Sequence, residues 1–310
     1  MSQRIIVVGA TGAIGRPLCG ELIRRGHQVT VFSRDAARAH DRVPGADAFV
    51  TWIPDSLSED CRSHLRSADA VVYLAGGALF DGRRHRRAEV EAESRARIGG
   101  IDTLVTALVG TTVSVLVSAS SVGYYGYVGH SDQDFDETSS QGADWWGRDS
   151  AAIEAAALAA ADQGVRTVVV RTGYVLTHES LTSQVAQFDH HFGGWIGWGW
   201  GWTPWIHLAD EVGLIISALE QPVYAGPLNA TAPEPVRSRA FARTLGRTLD
   251  RHAWMPVPTP FARMGLGALT DIIVKGKRVV PSRALANNYR FQFDKLEDAL
   301  SDLLGSPKPK

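Results

Sequence analysis

The most informative stretch of the sequence is Ile5-Ile6-Val7-Val8-Gly9-Ala10-Thr11-Gly12-Ala13-Ile14-Gly15. Its first four residues are apolar and β-branched, as in a strand that is buried on both faces. Three glycines at a spacing of three follow, and residues 16–25 then have the composition of a helix. The stretch therefore predicts a buried strand, a tight glycine turn and a helix in direct succession.

Each glycine has a separate physical role in such a turn. Gly9 allows the chain to reverse, Gly12 lets the backbone approach a phosphate, and Gly15 lets the helix pack against the strand. The helix N-terminus adds unpaired N–H groups and a partial positive charge. With a second strand at residues 28–33, the turn predicts a dinucleotide cofactor bound by Gly9, Thr11, Gly12, Ala13, Ile14 and Gly15.

Composition and charge exclude several classes of protein. The 310 residues include 32 basic and 33 acidic ones, so neither nucleic acid nor an anionic membrane surface is expected as a partner. No apolar run approaches the ~18 residues of a membrane span, and no signal-peptide pattern is present. Two cysteines give neither a disulfide framework nor a metal site. We expect a cytoplasmic monomer or homodimer that binds a small molecule.

Strands and helices alternate from residue 4 to residue 118. We expect strands at residues 4–8, 28–33, 48–52, 69–74, 112–118, 165–171 and 227–231, and helices at residues 13–25, 56–66, 85–109 and 261–275. Such apolar strands between amphipathic helices predict an α/β fold with a doubly wound parallel sheet of the Rossmann type. Ligands of these sheets bind at the carboxyl ends of the strands.

The end of the second strand bears on the choice between two cofactors. An NAD site usually places an acidic side chain there, about 20 residues past the glycine turn, whereas this chain has Ser33 and Arg34. A hydroxyl beside a guanidinium suits a 2′-phosphate, so we favour NADP. Asp35 could still serve NAD, which stays the alternative.

Later strand ends extend the predicted cofactor site. Small residues at Leu74-Ala75-Gly76 allow the backbone to pass close to a cofactor, although they could form only a turn. We add Ser118, Arg171 and Gly173, which lie near the ends of two further strands. The arginines between residues 83 and 97 are expected on a solvated helix face.

The regular alternation stops after residue 178. We expect residues 1–178, with residues 206–231 returning to them, to form the NAD(P)-binding Rossmann domain. Residues 179–205 and 232–305 then form a small C-terminal substrate lobe, and residues 306–310 a disordered tail.

Residues 192–205, the tryptophan segment, hold five of the nine tryptophans of the chain among glycines. Large flat side chains on flexible backbone suit a wall or lid of a substrate pocket. A surface loop pinned by tryptophans in the core explains the same pattern.

The chain resembles the atypical extended short-chain dehydrogenases of the epimerase family protein group, which carry the labels nucleoside-diphosphate-sugar epimerase and cell-division inhibitor. The resemblance rests on the glycine turn and on Leu74-Ala75-Gly76, Glu93-Ser94-Arg95, Gly123-Tyr124-Tyr125-Gly126, Arg171-Thr172-Gly173-Tyr174-Val175-Leu176, Gly193-Gly194, Pro204-Trp205-Ile206-His207 with Asp210, and Pro281, Leu285 and Tyr289-Arg290-Phe291. It implies an NADP-binding fold with a small substrate lobe and supplies no substrate.

The usual catalytic pair of that superfamily is missing. Its members use Tyr-x-x-x-Lys on a helix, where the Lys holds the ribose and lowers the pKa of the Tyr. All five lysines here lie at position 275 or later, and alignment on the helix puts Trp146 at the Tyr position and Ser150 at the Lys position. Members of the group also tend to lack the pair.

Three side chains are the candidates for the missing chemistry. Ser120 matches the Ser of the superfamily, and Tyr124 and Tyr125 follow on the same strand end. A phenol of ordinary pKa can donate a hydrogen bond or act as an acid. His130 and His207 titrate in the useful range but are explained as a loop residue and a helix start. We predict no metal site, since His190-His191 has no third ligand at a useful spacing.

The sequence supports two functions from different classes. The first is an NADP-dependent oxidoreductase or epimerase acting on a small polar carbonyl or sugar compound. The second is a non-catalytic NADP-binding sensor or structural protein, which the missing pair favours.

Overall fold

A computed structural model describes residues 2–54, 56–76 and 86–305 of the chain. Its strands are β1 (Arg4–Val8), β2 (Gln28–Ser33), β3 (Ala48–Thr51), β4 (Ala70–Tyr73), β5 (Val115–Ser121), β6 (Asp134–Phe135), β7 (Arg166–Thr172), β8 (Tyr174–Leu176), β9 (Gly194–Ile196), β10 (Trp202–Thr203), β11 (Trp205–His207), β12 (Gly226–Ala230), β13 (Val236–Arg237), β14 (Met255–Val257) and β15 (Arg278–Val279).

The helices complete the description of the elements. They are α1 (Gly15–Arg24), α2 (Ala36–Arg42), α3 (Glu59–Ser67), α4 (Arg87–Ala107), α5 (Trp145–Leu158), α6 (His178–Asp189), α7 (Leu208–Glu220), α8 (Ser238–Thr248), α9 (Thr259–Leu266), α10 (Leu269–Lys275), α11 (Ser282–Ala286) and α12 (Leu296–Leu304). Short 3₁₀ turns span Val122–Tyr125 and Ala159–Gln163. Within the described ranges, no helix is both long and apolar enough to cross a bilayer.

Seven strands form one sheet in the order β12-β7-β5-β4-β1-β2-β3, and every neighbouring pair is parallel. The strand order reverses between β1 and β4, because the chain runs outward through β2 and β3 before it crosses back to β4. Such a reversal opens a crevice at the carboxyl ends of the two strands. The predicted doubly wound parallel sheet is confirmed.

Both faces of the sheet are covered, which explains why its strands are apolar throughout. Ile5 and Val7 pack with α1 and α7 in one core, whereas Ile6 and Val8 pack on the opposite face with residues of α3, α4 and α5. A third core joins Leu181 and Phe188 of α6 to residues of α8 and α12. The division into a Rossmann domain and a substrate lobe stays a prediction, although this third core draws mainly on the segments assigned to the lobe.

The structure differs from the predicted elements in three places. Strand β5 extends to Ser121, three residues past the predicted end. The predicted helix at residues 261–275 is two helices, because Gly267 has a φ of +61° and ends α9. The tryptophan segment contains β9, β10 and β11, which pair with β14, β13 and β8.

Candidate functional site

The glycine turn lies at the reversal point of the sheet. Gly9 has a φ of +86°, and a Cβ built on it would lie 2.7 Å from the backbone nitrogen of Ala75. The Gly12 N–H donates to the carbonyl of Gly9 at 3.2 Å, which closes the turn before α1. Gly12 and Ala13 are exposed, so the first turn of α1 offers its free N–H groups to an anion.

Arg34 and Asp35, which follow β2, differ in whether their side chains are already hydrogen-bonded within the protein. The carboxylate of Asp35 accepts a hydrogen bond from the backbone nitrogen of Arg38 at 2.9 Å and caps α2. The Ser33 hydroxyl bonds to the carbonyl of Asp35 at 3.1 Å. Arg34 is exposed and forms no ion pair with any residue that the structure describes. The Asp35 carboxylate is therefore occupied by the cap of α2, whereas the Arg34 guanidinium is free to bind a phosphate.

Arg97 of α4 does not lie on the solvated helix face that the sequence predicted for it, because its side chain reaches the ends of β4 and β5. Its guanidinium donates to the carbonyl of Ala119, and a Cβ on Gly76 would lie 3.4 Å from its Nη1. Its Nε is buried without a hydrogen-bond partner among the described residues. Burial lowers its pKa. An unpartnered donor beside Gly76 fits an anionic or amide-bearing cofactor, and no sequence signal separated Arg97 from the exposed Arg95.

Ser120 is buried and does not open onto a pocket formed by the described residues. Its hydroxyl donates to Oε1 of Glu154 on α5 at 2.7 Å. Arg171 of β7 binds both oxygens of the same carboxylate at 2.9 Å, and both charged side chains are at most 5 % exposed. This buried network occupies Ser120 and Arg171, and their roles as a catalytic residue and a cofactor ligand stay predictions.

The two tyrosines after β5 belong to the same network. The Tyr125 hydroxyl accepts from Nη1 of Arg171 at 3.0 Å and lies 2.7 Å from Oδ1 of Asn229. Burial raises its pKa. The ring of Tyr124 lies 3.4 Å from the guanidinium carbon of Arg171. Both tyrosines therefore contact Arg171 and fix its position.

Ser118 is fully buried in β5, and the structure gives its hydroxyl no partner among the described residues.

A cavity of about 220 Å³ opens at the carboxyl ends of β5 and β7. Ser121, Thr172 and Gly173 form its floor, and the other walls come from α6, the tryptophan segment, α8 and α10, whereas Tyr124 and Tyr125 do not line it. Side chains alternate along a strand, so Ser121 leaves the face that carries Ser118 and Ser120. Ser121 is the serine that the fold brings to the cavity.

Three hydroxyl groups surround Gly123 at one end of this cavity. A Cβ on Gly123 would lie 3.2 Å from the Ser121 and Ser150 hydroxyls and 3.7 Å from the Tyr127 hydroxyl. The Tyr127 ring packs edge-on against Trp146, with ring centroids 5.9 Å apart. Tyr127 thus brings a phenol to the helix positions where Trp146 and Ser150 replace the usual pair.

A buried acid stands behind the cavity floor. The Thr172 hydroxyl donates to Oε1 of Glu211 at 2.8 Å, and Oε2 of Glu211 has no partner among the described residues. Burial raises the pKa of Glu211 from 4.5 to about 8. Glu211 is therefore neutral near pH 7, and it was not foreseen because its neighbours in the sequence make it part of an apolar helix.

Some tryptophans of the tryptophan segment form a pocket wall, whereas another anchors the segment in the core. Trp195 and Trp202 line the cavity, as a pocket wall requires. Trp205 is fully buried and pins the segment to the third core. Trp198 and Trp200 are exposed.

His207 and His130 have structural positions, at a helix start and on a loop, as expected from the sequence. Nδ1 of His207 accepts from the backbone nitrogen of Ala209 at 3.1 Å and so caps α7. Burial lowers the pKa of His207. His130 is exposed on a loop against the ring of Trp200. Across the described part of the chain, no group of three or more His, Cys, Asp or Glu side chains could hold a metal ion.

Two family descriptions match the sequence. Residues 5–227 match the family described as "NAD dependent epimerase/dehydratase family", and residues 257–303 match a "Domain of unknown function (DUF1731)".

Individual relatives extend over nearly the whole chain. Epimerase family protein YfhF of Bacillus subtilis is 31% identical over 316 residues, covering 99% of this chain and 99% of the relative. A relative from Arabidopsis thaliana, named "Epimerase family protein SDR39U1 homolog, chloroplastic", is 33% identical over 97% of this chain and 86% of its own length. The crystal structure of human epimerase family protein SDR39U1 (isoform2) with NADPH matches with a TM-score of 0.82 at 31% identity, over 97% of this chain and 99% of that one.

Proposed function

The chain belongs to the NAD dependent epimerase/dehydratase family, and we propose that it is an NADP-dependent oxidoreductase that acts on the carbonyl group of a small molecule. It has the NAD(P)-binding fold of short-chain dehydrogenases. The observation that carries the proposal is the group of hydroxyls around Gly123, which opens onto a cavity at the same edge of the sheet as the glycine turn.

The proposed cofactor is NADP, with NAD as the alternative. The free N–H groups at the start of α1, from Ala13 onward, would receive the pyrophosphate, and Arg34 would receive the 2′-phosphate. The commitment of Asp35 to the cap of α2 removes the acid that would favour NAD. The NADPH bound in the structure of the human relative supports this choice.

When bound, NADPH supplies a hydride to the carbonyl carbon. Side chains of this protein then bind and protonate the carbonyl oxygen. The Ser121 hydroxyl donates a hydrogen bond that holds it, and Tyr127 gives the proton that completes the alcohol. The phenol of Tyr127 is protonated near pH 7 and can donate this proton, although burial raises its pKa and makes it a weaker acid than an exposed Tyr.

A non-catalytic NADP-binding protein is the second candidate, favoured by Trp146 and Ser150. Neither side chain can replace a phenol or the ammonium that activates it. The two functions share the cofactor site and differ in whether the bound cofactor transfers a hydride. A cytoplasmic location and a monomeric or homodimeric state stay predictions, and one relative carries "chloroplastic" in its name.

Consumption of NADPH by the purified protein with a panel of carbonyl compounds tests the proposal. We expect Tyr127→Phe to lower kcat by roughly 10²–10⁴-fold with NADPH affinity unchanged, because it removes a general acid. Tyr224→Phe is the matched control, since Tyr224 is buried away from the cavity with a hydroxyl that has no partner among the described residues. Tight NADPH binding without consumption across the panel would instead favour the sensor.

A further inference from the structure

The size of the cavity limits what it can hold. Its volume is about 220 Å³. An engineered apolar cavity of about 150 Å³ holds benzene, and pockets for drug-sized ligands begin near 300 Å³. One ring with a short substituent fits this space. A nucleoside diphosphate joined to a sugar is larger than this volume and would have to extend beyond the cavity.

The chemistry of the lining is the second constraint. No Asp, Glu, Lys, Arg or His is among the described residues that line the cavity. Six aromatic side chains do line it: Tyr127, Tyr174, Phe188, Trp195, Trp202 and Phe241. Flat apolar walls favour stacking on a ring, and a buried charge without a partner costs several kcal/mol.

The nearest cations contact the tryptophans without lining the cavity. Arg237 lies 4.0 Å from the ring centroid of Trp202 and forms an ion pair with Asp132. Arg278, also over Trp202, is paired with Asp134. Arg239 and Arg243 lie 4.6 and 5.8 Å from the Trp195 centroid. None of the described residues that line the cavity therefore offers a cation to a diphosphate.

One polar group in the lining is unsatisfied. Ser238 is 8 % exposed, and its hydroxyl has no hydrogen-bond partner among the described residues. A buried hydroxyl without a partner costs free energy unless a ligand or water satisfies it. By contrast, the Tyr174 hydroxyl donates to the carbonyl of Ser180 at 2.8 Å.

We propose that the cavity binds an uncharged aromatic carbonyl compound of one ring, whose carbonyl lies at Ser121 and whose short polar substituent bonds to Ser238. This assignment rests on the proposed oxidoreductase function and names its substrate class. It replaces the polar carbonyl or sugar compound that the sequence led us to expect, because no described residue of the walls carries a charge that could pair with the diphosphate of a sugar nucleotide.

Calorimetric titration of the full-length protein saturated with NADP⁺ tests the assignment independently of turnover. The probes are meta-hydroxybenzaldehyde, meta-carboxybenzaldehyde and UDP-glucose. We expect the hydroxy compound to bind at least about 10-fold more tightly than the carboxy compound, and UDP-glucose to give no heat of binding. Equal affinity for the two aldehydes, or tighter binding of UDP-glucose, would overturn the proposal.

Two variants locate the interaction. Benzaldehyde, which lacks the substituent, is a fourth probe, and we expect the unaltered protein to bind it less tightly than meta-hydroxybenzaldehyde. Ser238→Ala should abolish this preference. Gln187→Arg places a cation in the cavity wall from an exposed position of α6 and should reduce the discrimination against the carboxylate. Gln163→Arg, an exposed position outside the cavity, is the matched control. Unchanged discrimination in both Ser238→Ala and Gln187→Arg would place the aldehydes elsewhere and contradict the proposal.

NADPH consumption is measured in parallel to separate this proposal from the function beneath it. Selective binding of the neutral aldehyde without consumption supports the cavity assignment and removes the oxidoreductase. Consumption of NADPH with sugar nucleotides alone preserves the oxidoreductase and overturns the cavity assignment.

Discussion

At the scale of single residues, Arg34 and Asp35 show how a neighbour's hydrogen bond changes ligand preference. The Asp35 carboxylate is held by the backbone of α2, whereas the Arg34 side chain extends into solvent. A carboxylate that already accepts a bond at a helix N-terminus is stabilised there and is a poor ribose ligand. The order of these two residues, and not their mere presence, favours NADP.

Arg34→Glu should weaken NADPH binding by at least about 10-fold, since it removes a charge-assisted hydrogen bond and adds a repulsive charge. NADH has no 2′-phosphate, so its affinity should change little. Fluorescence titration with both cofactors measures the two effects. Arg42→Glu, which makes the same charge change at the far end of α2, serves as the control. Equal losses for NADPH and NADH would contradict the assignment of Arg34.

Which serine of β5 reaches the cavity depends on the pleat of the strand, which the sequence leaves open. The run Ser118-Ala119-Ser120-Ser121 gives no sign of which serine faces the cofactor side, because a shift of one residue exchanges the two faces. With β5 ending at Ser121, Ser120 binds Glu154 and Ser121 lines the cavity. Tyr127 was missed because its role depends on packing against Trp146, which is distant in sequence.

At the scale of elements, one buried ion pair joins β5, α5 and β7. Glu154 accepts hydrogen bonds from Ser120 and Arg171, so it is satisfied by two strands at once. Burial alone would lower the pKa of Arg171, but the hydrogen bonds and charge of Glu154 outweigh it and the pKa is raised. The network fixes the strand ends on which Ser121 and Thr172 stand.

Glu154→Gln should lower the free energy of unfolding by roughly 3–5 kcal/mol, because it leaves the buried Arg171 charge unpaired. Urea denaturation followed by circular dichroism gives the difference. Glu91→Gln removes a carboxylate that pairs with Arg87 on the exposed part of α4 and should change stability far less. A Glu154→Gln protein as stable as the Glu91→Gln protein would show that the pair does not join the elements.

The sequence predicted the long elements better than the short ones. Apolar strands between helices predicted where β1 to β5 lie along the chain. They also predicted that these strands are parallel, since both faces of such a sheet must be covered. The two- and three-residue strands of the tryptophan segment could not be predicted, because their pairing partners lie up to about 60 residues away. The position of α9 relative to α10 depended on Gly267.

At the scale of the whole molecule, buried acids link stability to pH. Glu211 has its pKa raised by burial to about 8. Between about pH 4.5 and 8 the folded protein keeps a proton that the unfolded chain releases. The free energy of unfolding therefore falls as the pH rises through this window, by at most ~1.4 kcal/mol per pH unit for one group.

Glu211→Gln should remove this contribution. We expect the unfolding free energy of the variant, measured in urea at several pH values from about 5 to 8, to fall less steeply with pH than that of the unaltered protein. Glu297→Gln, at an exposed position of α12, should leave the slope unchanged. Parallel slopes for the unaltered protein and Glu211→Gln would show that Glu211 ionises normally.

The order of the two sites along the chain has a consequence for how this protein can be altered. The glycine turn and Arg34 lie within the first 34 residues, whereas every described residue that lines the cavity lies at position 121 or later. On the proposed function, a chimera with a crossover in α4 would take the glycine turn and Arg34 from one parent and the residues that line the cavity from the other. Recombination between relatives of this chain would then exchange the proposed substrate specificity while the preference for NADP is kept.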